Sequence, residues 1–278
     1  MVFLVVLLAA LILVRVVVLG EFFLEEFSPS LDYGIAQTTG NRQIQADRAE
    51  LYKSSAGILA VLADGIRKEN TGQVCGQIGM DTVLDAFESY RELHNPEYFF
   101  RTAFGEAHLR IQRTIGERYG GACLAAVFVS GRVLHYALAG DIRIALWRNQ
   151  ELIPLSKGHT LDVLAMHAYE EGRLSKREAV WSMEEKRCWN YLGMDGFHEI
   201  ELPERPVRLR AKDRIVMVSK GIWQELSWAE LEDILAAGES CFKQAAQAVR
   251  EAEKKPGEDK ENGSIVLFSV LTSGGGER

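Results

Sequence analysis

The sequence predicts an α+β domain of antiparallel sheets covered by helices, carried behind an apolar N-terminal segment. Three observations predict it. Short strands rich in Val, Ile and Leu follow one another through turns of two or three residues, and strands joined that tightly run antiparallel. Two helical patterns separate the first strand from this meander, and mixed elements precede a last strand, which is not the regular alternation of a doubly wound fold. Residues 1–20 are an almost unbroken aliphatic run with one charge, Arg15.

Taken in order, residues 1–24 are read as one transmembrane anchor, since a bilayer core needs ~20 apolar helical residues. A cleaved signal peptide is the rival, but no basic region precedes the run and it is long for such a segment. Residues 25–36, with Ser28-Pro29-Ser30, read as a juxtamembrane linker. Residues 37–272 show no repeat or low-complexity tract and are taken as one domain. Strands are expected at 58–63, 124–129, 133–139, 142–147, 152–155, 214–219 and 265–271, with Ser130-Gly131 as a two-residue hairpin turn. Val74, Ile78, Val83 and Phe87 place an apolar stripe on one helix, and Phe100, Ala103, Ala107, Ile111 and Ile115 do so on the next. Ser175 with Glu178, and Ser227 with Glu230, are spaced as capping boxes. Phe242, Ala245, Val249 and Ala252 mark a last long helix, and residues 273–278 a flexible tail.

Composition narrows the function. In 278 residues, 47% are hydrophobic and the formal net charge is −7. That hydrophobic share excludes a mainly disordered chain, and the acidic balance excludes a nucleic-acid binder that works by bulk charge. Four cysteines without a CxxC pair argue against a zinc ribbon or disulfide framework. The six histidines lack HExxH spacing, and neither a Gly-x-Ser-x-Gly elbow nor a P-loop is present.

Three acids stand where strands end or turns begin: Asp47, Asp64 before Gly65, and Asp141 after Gly140. Carboxylates gathered on one rim of a sheet suit Mg²⁺ or Mn²⁺, although an Asp before Gly is more commonly a turn former.

Their order raises the weight of the pattern. From Arg42 to Val270 the sequence resembles the metal-dependent serine/threonine protein phosphatases of type 2C. Arg42-x-x-Gln45-x-Asp47 is similar to the family's R-x-x-N-x-D, and Ala63-Asp64-Gly65 closes a strand like its A-D-G. Gly121-Ala-Cys-Leu resembles the G-T-T strand, Gly140-Asp141-Ile142-Arg143 resembles G-D-S-R, and Leu155-Ser156-Lys157-Gly158-His159-Thr160 resembles L-T-x-D-H-S. Residues 170–175, through Glu178 to Gly193, resemble the flap and its sequel. Ser219-Lys220-Gly221 stands at S-D-G, and Glu261-Asn262-Gly263-Ser264 at D-N-I-T.

The resemblance implies a four-layer sandwich of two antiparallel sheets flanked by helices, with a two-metal site at one end. Carried over by position, Arg42 is the phosphate clamp; Asp47, Asp64, the Gly65 carbonyl and Glu261 are metal ligands. Asp141 serves an additional metal position or its waters. Lys220 departs most: the family has an aspartate ligand there. Exchanging that charge beside a divalent ion gives a repulsion of roughly 8 kcal/mol at ~4 Å and an effective ε of ~20. Glu261 replaces the last metal aspartate, with Asp259 a nearby substitute, and Ile66 stands where some members carry a histidine.

Without metal, Asp47, Asp64 and Glu261 would need Lys220 as counter-charge. The expectation is a membrane-tethered, single-pass protein phosphatase 2C-like signalling domain facing the cytosol. Its degenerate site makes it a pseudophosphatase or weak phosphatase; the alternative is an active Mn²⁺/Mg²⁺-dependent phosphoserine/phosphothreonine phosphatase. The cofactor is Mn²⁺ or Mg²⁺ if the site is functional, or none. The expected partners are a phosphorylated Ser/Thr protein or a regulatory protein, and the membrane through residues 1–24, but no nucleic acid. A small phosphorylated metabolite stays open as a substrate, since loops set that choice.

Overall fold

The computed structural model describes residues 30–66, 70–182 and 187–271. The anchor expected at 1–24 and the tail at 273–278 lie outside those residues. Among the described residues, no helix is long and apolar enough to cross a membrane.

Among the described residues, ten strands form two antiparallel five-stranded sheets. One has the order β1 (Ser30–Thr38), β10 (Gly263–Leu271), β9 (Arg214–Val218), β6 (Arg143–Arg148), β7 (Glu151–Pro154). The other has the order β2 (Arg48–Ser54), β3 (Gly57–Ile66), β4 (Gly121–Ser130), β5 (Val133–Ala139), β8 (Val207–Arg208). Side chains alternate along a strand. Along β3, therefore, Ile58, Ala60 and Leu62 enter a core shared with Ile215, Met217 and Phe268 of the opposite sheet. Leu59, Val61 and Ala63 point the other way, onto α1 (Asn70–Glu88) and α2 (Pro96–Ile115). The first sheet is covered on its outer face by α6 (Trp228–Ala236) and α7 (Cys241–Lys254). The result is the expected helix, sheet, sheet, helix layering. A strand buried on both faces reads as a continuous apolar run, which is why 58–63 was legible.

Between β7 and β9 the chain forms α3 (Leu161–Glu170) and α4 (Lys176–Ser182), and a single turn, α5 (Lys220–Trp223), follows β9. Both expected capping boxes are present: the Glu178 amide donates to Ser175 Oγ at 3.4 Å, and the Glu230 amide donates to Ser227 Oγ at 3.3 Å.

Four expectations are corrected. The linker expected at 25–36 is largely strand: β1 starts at Ser30 and pairs along its length with β10, from Ser30 opposite Leu271 to Thr38 opposite Gly263. It lies so close to α7 that a Cβ on Gly34 would sit 2.4 Å from the Cys241 carbonyl oxygen, and only glycine permits that approach. The β4–β5 turn is Gly131-Arg132, one residue later than expected, because Ser130 pairs with Val133. Gly131 takes a positive φ of 58° there. Val74 and Phe242 face outward, 40% and 65% exposed, while the rest of each stripe packs inward.

Candidate active site

The expected site residues converge at one end of the sandwich, where several strand ends meet. A cavity of about 1050 Å³ opens there, lined by Arg42, Asp64, Gly65, Asp141, Lys220 and Glu261 among others. Asp64 and Gly65 lie near the end of β3, just before its final residue Ile66, Asp141 follows β5, Lys220 follows β9 and Glu261 precedes β10. Asp47, just before β2, lies beneath the cavity floor with no exposure to solvent.

Each group is held by named contacts. Asp47 Oδ2 accepts from the hydroxyls of Ser219 at 2.8 Å and Ser264 at 2.7 Å, tying the starts of α5 and β10 to the floor. Burial is the main force on Asp47; it outweighs those hydroxyls and, with Glu261 adding to it, pushes the carboxyl up to about 6. Burial likewise raises Asp64 well above the carboxylate range, reinforced by Asp47, Glu261 and Asp141. Asp141 is pushed up to about 6 by burial, against the pull of Arg143 and Lys220. Neither oxygen of Asp141 accepts a hydrogen bond, and the Arg143 guanidinium stands 3.9 Å away.

Lys220 occupies the heart of this acidic cluster. Its Nζ donates to Glu261 Oε1 at 3.0 Å. Burial pulls the ammonium down, but Glu261, Asp141 and Asp64 prevail and raise it. The approach depends on Gly221, where a Cβ would lie 2.2 Å from the Asn262 carbonyl oxygen. The turn carrying Lys220 thus presses directly on the chain carrying Glu261.

Arg42 lines the cavity, as expected of a clamp, and pairs there with Asp259, whose side chain is 80% exposed. The loop bearing Arg42 is anchored by Asn262, which accepts from the Ala46 amide at 2.8 Å and donates to Thr39 and Ile44 carbonyls at 2.9 and 3.0 Å. His159 accepts the Gly140 amide at Nδ1, 3.0 Å away, and so positions Asp141. Burial lowers the His159 pKa against Glu201 and Glu199, which favours the neutral ring that this acceptor role requires. Ser219, Ser264, Asn262 and His159 all fall inside the motifs quoted above. Their roles were not legible because they serve the backbone and one another, not a ligand.

This fold and this constellation define a phosphatase-type sandwich with an acidic pocket at one end. Residues 37–182, more than half of the chain, match the family Protein phosphatase 2C, and the chain belongs to that family. It is 22% identical over 223 residues to "Serine/threonine phosphatase stp" of Listeria welshimeri, covering 78% of this chain and 86% of that protein. It superposes on the serine/threonine phosphatase PstP/Ppp of Mycobacterium tuberculosis with a TM-score of 0.69 at 22% identity, covering 87% of this chain and 99% of that one. A catalytic domain of PstP solved in complex with 2 manganese ions aligns with a TM-score of 0.68 at 21% identity, covering 87% and 98%. These solved structures share the fold.

The residues present fit a divalent ion on one side of the cavity and not on the other. Asp64, the Gly65 carbonyl and Asp141 are oxygen donors, and neither buried oxygen of Asp141 is taken up by a hydrogen bond. On the other side the ammonium of Lys220 already neutralises Glu261. Among the described residues, no group of three His, Cys, Asp or Glu side chains is arranged to hold a metal.

Proposed function

We propose that this chain is a phosphoserine/phosphothreonine protein phosphatase of reduced turnover, held at a membrane by residues 1–24 with its domain in the cytosol. Family membership and the phosphatase names of its relatives support the reaction class. One observation carries the reduction: the Lys220–Glu261 ion pair stands in the cavity that holds Asp64 and Asp141.

The residues divide the work by charge. A Mn²⁺ or Mg²⁺ ion held by Asp64, the Gly65 carbonyl and Asp141 would supply positive charge against the transferring phosphoryl group and acidify water beside it. Arg42, on leaving the exposed Asp259, binds the phosphate oxygens with a guanidinium fork suited to them. Lys220 offsets Glu261, which lets the pocket fold with its acids gathered but blocks the second cation position. Asp47, through Ser219 and Ser264, fixes the backbone on which Lys220 and Glu261 stand.

The test is phosphate release from an aryl phosphate and a phosphothreonine peptide by the full chain with Mn²⁺, compared with Lys220→Asp. The expected result is metal-dependent turnover in the natural chain that rises at least ~10-fold in the variant, a gain of about 1.4 kcal/mol at the barrier. Equal rates in the two proteins, or none in either, would overturn the proposal.

A second reading, complete loss of catalysis with retained binding of a phosphorylated partner, is favoured by the closed Arg42–Asp259 pair. It predicts turnover only in the Lys220→Asp protein.

A further inference from the structure

Two cysteines that the proposed reaction leaves unused line the wall of the same cavity. Cys123 lies on β4, directly opposite Asp64 in the β3–β4 ladder. Its side chain is 3% exposed and packs in the core between the sheets. Cys188 arrives from the segment after α4 and is only half-buried. It packs on that same core cluster, and its thiol donates to the Asn190 carbonyl at 3.3 Å.

Both residues line the cavity, and the neighbouring Cys188 thiol raises that of Cys123, with burial adding to it. The backbone holds them together. Thr160 bridges to Cys188 and Ala122 bridges to Leu192, so the 187–192 segment is laced to β4 on one side and to the chain before α3 on the other. Gly140 closes the remaining side, since a Cβ there would lie 2.4 Å from Cys123 Sγ. The other two cysteines are fully buried in different clusters, Cys75 on α1 and Cys241 at the first position of α7.

We infer that Cys123 and Cys188 form a disulfide-forming pair whose co-reactant is a small hydroperoxide. Access sets the order. Cys188 sulfur attacks the peroxide, the O–O bond breaks, and water (or an alcohol) leaves with the thiol proton, giving a sulfenic acid. Cys123 sulfur then attacks the sulfenic sulfur, the S–S bond forms as the S–O bond breaks, and the hydroxyl departs as water with the Cys123 proton. The peroxide gains the two electrons that the thiols lose. The bond pins the 187–192 segment to β4 beside Asp64, so the oxidation state of the pair sets the mobility of the cavity wall. None of this depends on whether the phosphatase turns over.

The test exposes the full chain to hydrogen peroxide, alkylates it in the native state and maps peptides without reduction. The expected product is a linked Cys123–Cys188 peptide lacking two hydrogens, reversed by dithiothreitol, with Cys75 and Cys241 still as thiols. Hydrogen exchange across 187–192 slows in the linked form. Cys188→Ser, at a half-exposed position the fold tolerates, yields no linked peptide. In Cys123→Ala, Cys188 instead advances to sulfinic acid for want of a partner. Overturning results are a native chain in which Cys188 advances to sulfinic acid while Cys123 stays a thiol, linkage seen only after unfolding, or exchange across 187–192 that linkage does not alter.

Discussion

A carboxylate taken out of water holds its proton unless a cation stands close by. Asp47 and Asp141 are both pushed from 3.8 to about 6, and Asp64 is raised further by its acidic neighbours. The folded state therefore binds protons that the unfolded state has lost between about pH 4 and pH 6. For acids raised in this way, the stability is present in full below the unfolded value and drains away as pH rises through the folded one. For Asp47 the shift corresponds to on the order of 3 kcal/mol across that window. With divalent ions chelated, the thermal midpoint is expected to be higher at pH 5 than at pH 7. Asp47→Asn should flatten that slope, and scanning calorimetry of both proteins across the window checks it; a midpoint that climbs steadily from pH 5 to 7 contradicts the reading. Lys220 limits this penalty without abolishing it, because one ammonium faces Glu261, Asp141 and Asp64 together.

At the scale of elements, caps and edges decide what holds the site. The α6 start is a closed box in which Ser227 Oγ accepts the Glu230 amide and Glu230 Oε2 accepts the Ser227 amide at 2.9 Å, with Lys255 binding the same glutamate. Ser227→Ala is expected to cost about 1 kcal/mol, read as a lower urea midpoint at unchanged slope. That box was legible because its two residues are three apart in the chain. Other elements were not. Strand β2 is half-buried along its length, so Arg48–Ser54 lacks the apolar run that identified β3. Helix α3 buries only Ala165 and Ala168 and leaves Leu164, Met166 and Tyr169 outside, so no stripe announces it. Strand β1 carries Asp32 and Gly34 in a mixed sequence, and its partner β10 lies at the far end of the chain. Asp32 itself turned out to be structural: it accepts the Cys241 amide at the start of α7, at 3.0 Å.

For the molecule as a whole, β1 begins at Ser30, so an anchor at 1–24 would be followed almost at once by the sandwich. Full-length chain is expected to sediment with membranes and resist alkaline carbonate, and a chain lacking residues 1–24 to remain in the supernatant. Release of the full chain by carbonate would refute tethering. By itself the sequence determined the apolar runs of β3 and β4, the antiparallel meander, both capping boxes, the family resemblance and, among the pocket-lining residues, Arg42, Asp64, Gly65, Asp141, Lys220 and Glu261. These rest on local periodicity or on motifs a few residues long, which survive without knowledge of distant neighbours. Only the tertiary structure decided that β1 belongs to the sheet, that Arg42 is engaged by Asp259, that Lys220 is closed onto Glu261, and that Cys123 and Cys188 line one cavity. Each of these joins residues far apart in the chain, and the pairing is set by how strand ends converge in space, which no local pattern encodes.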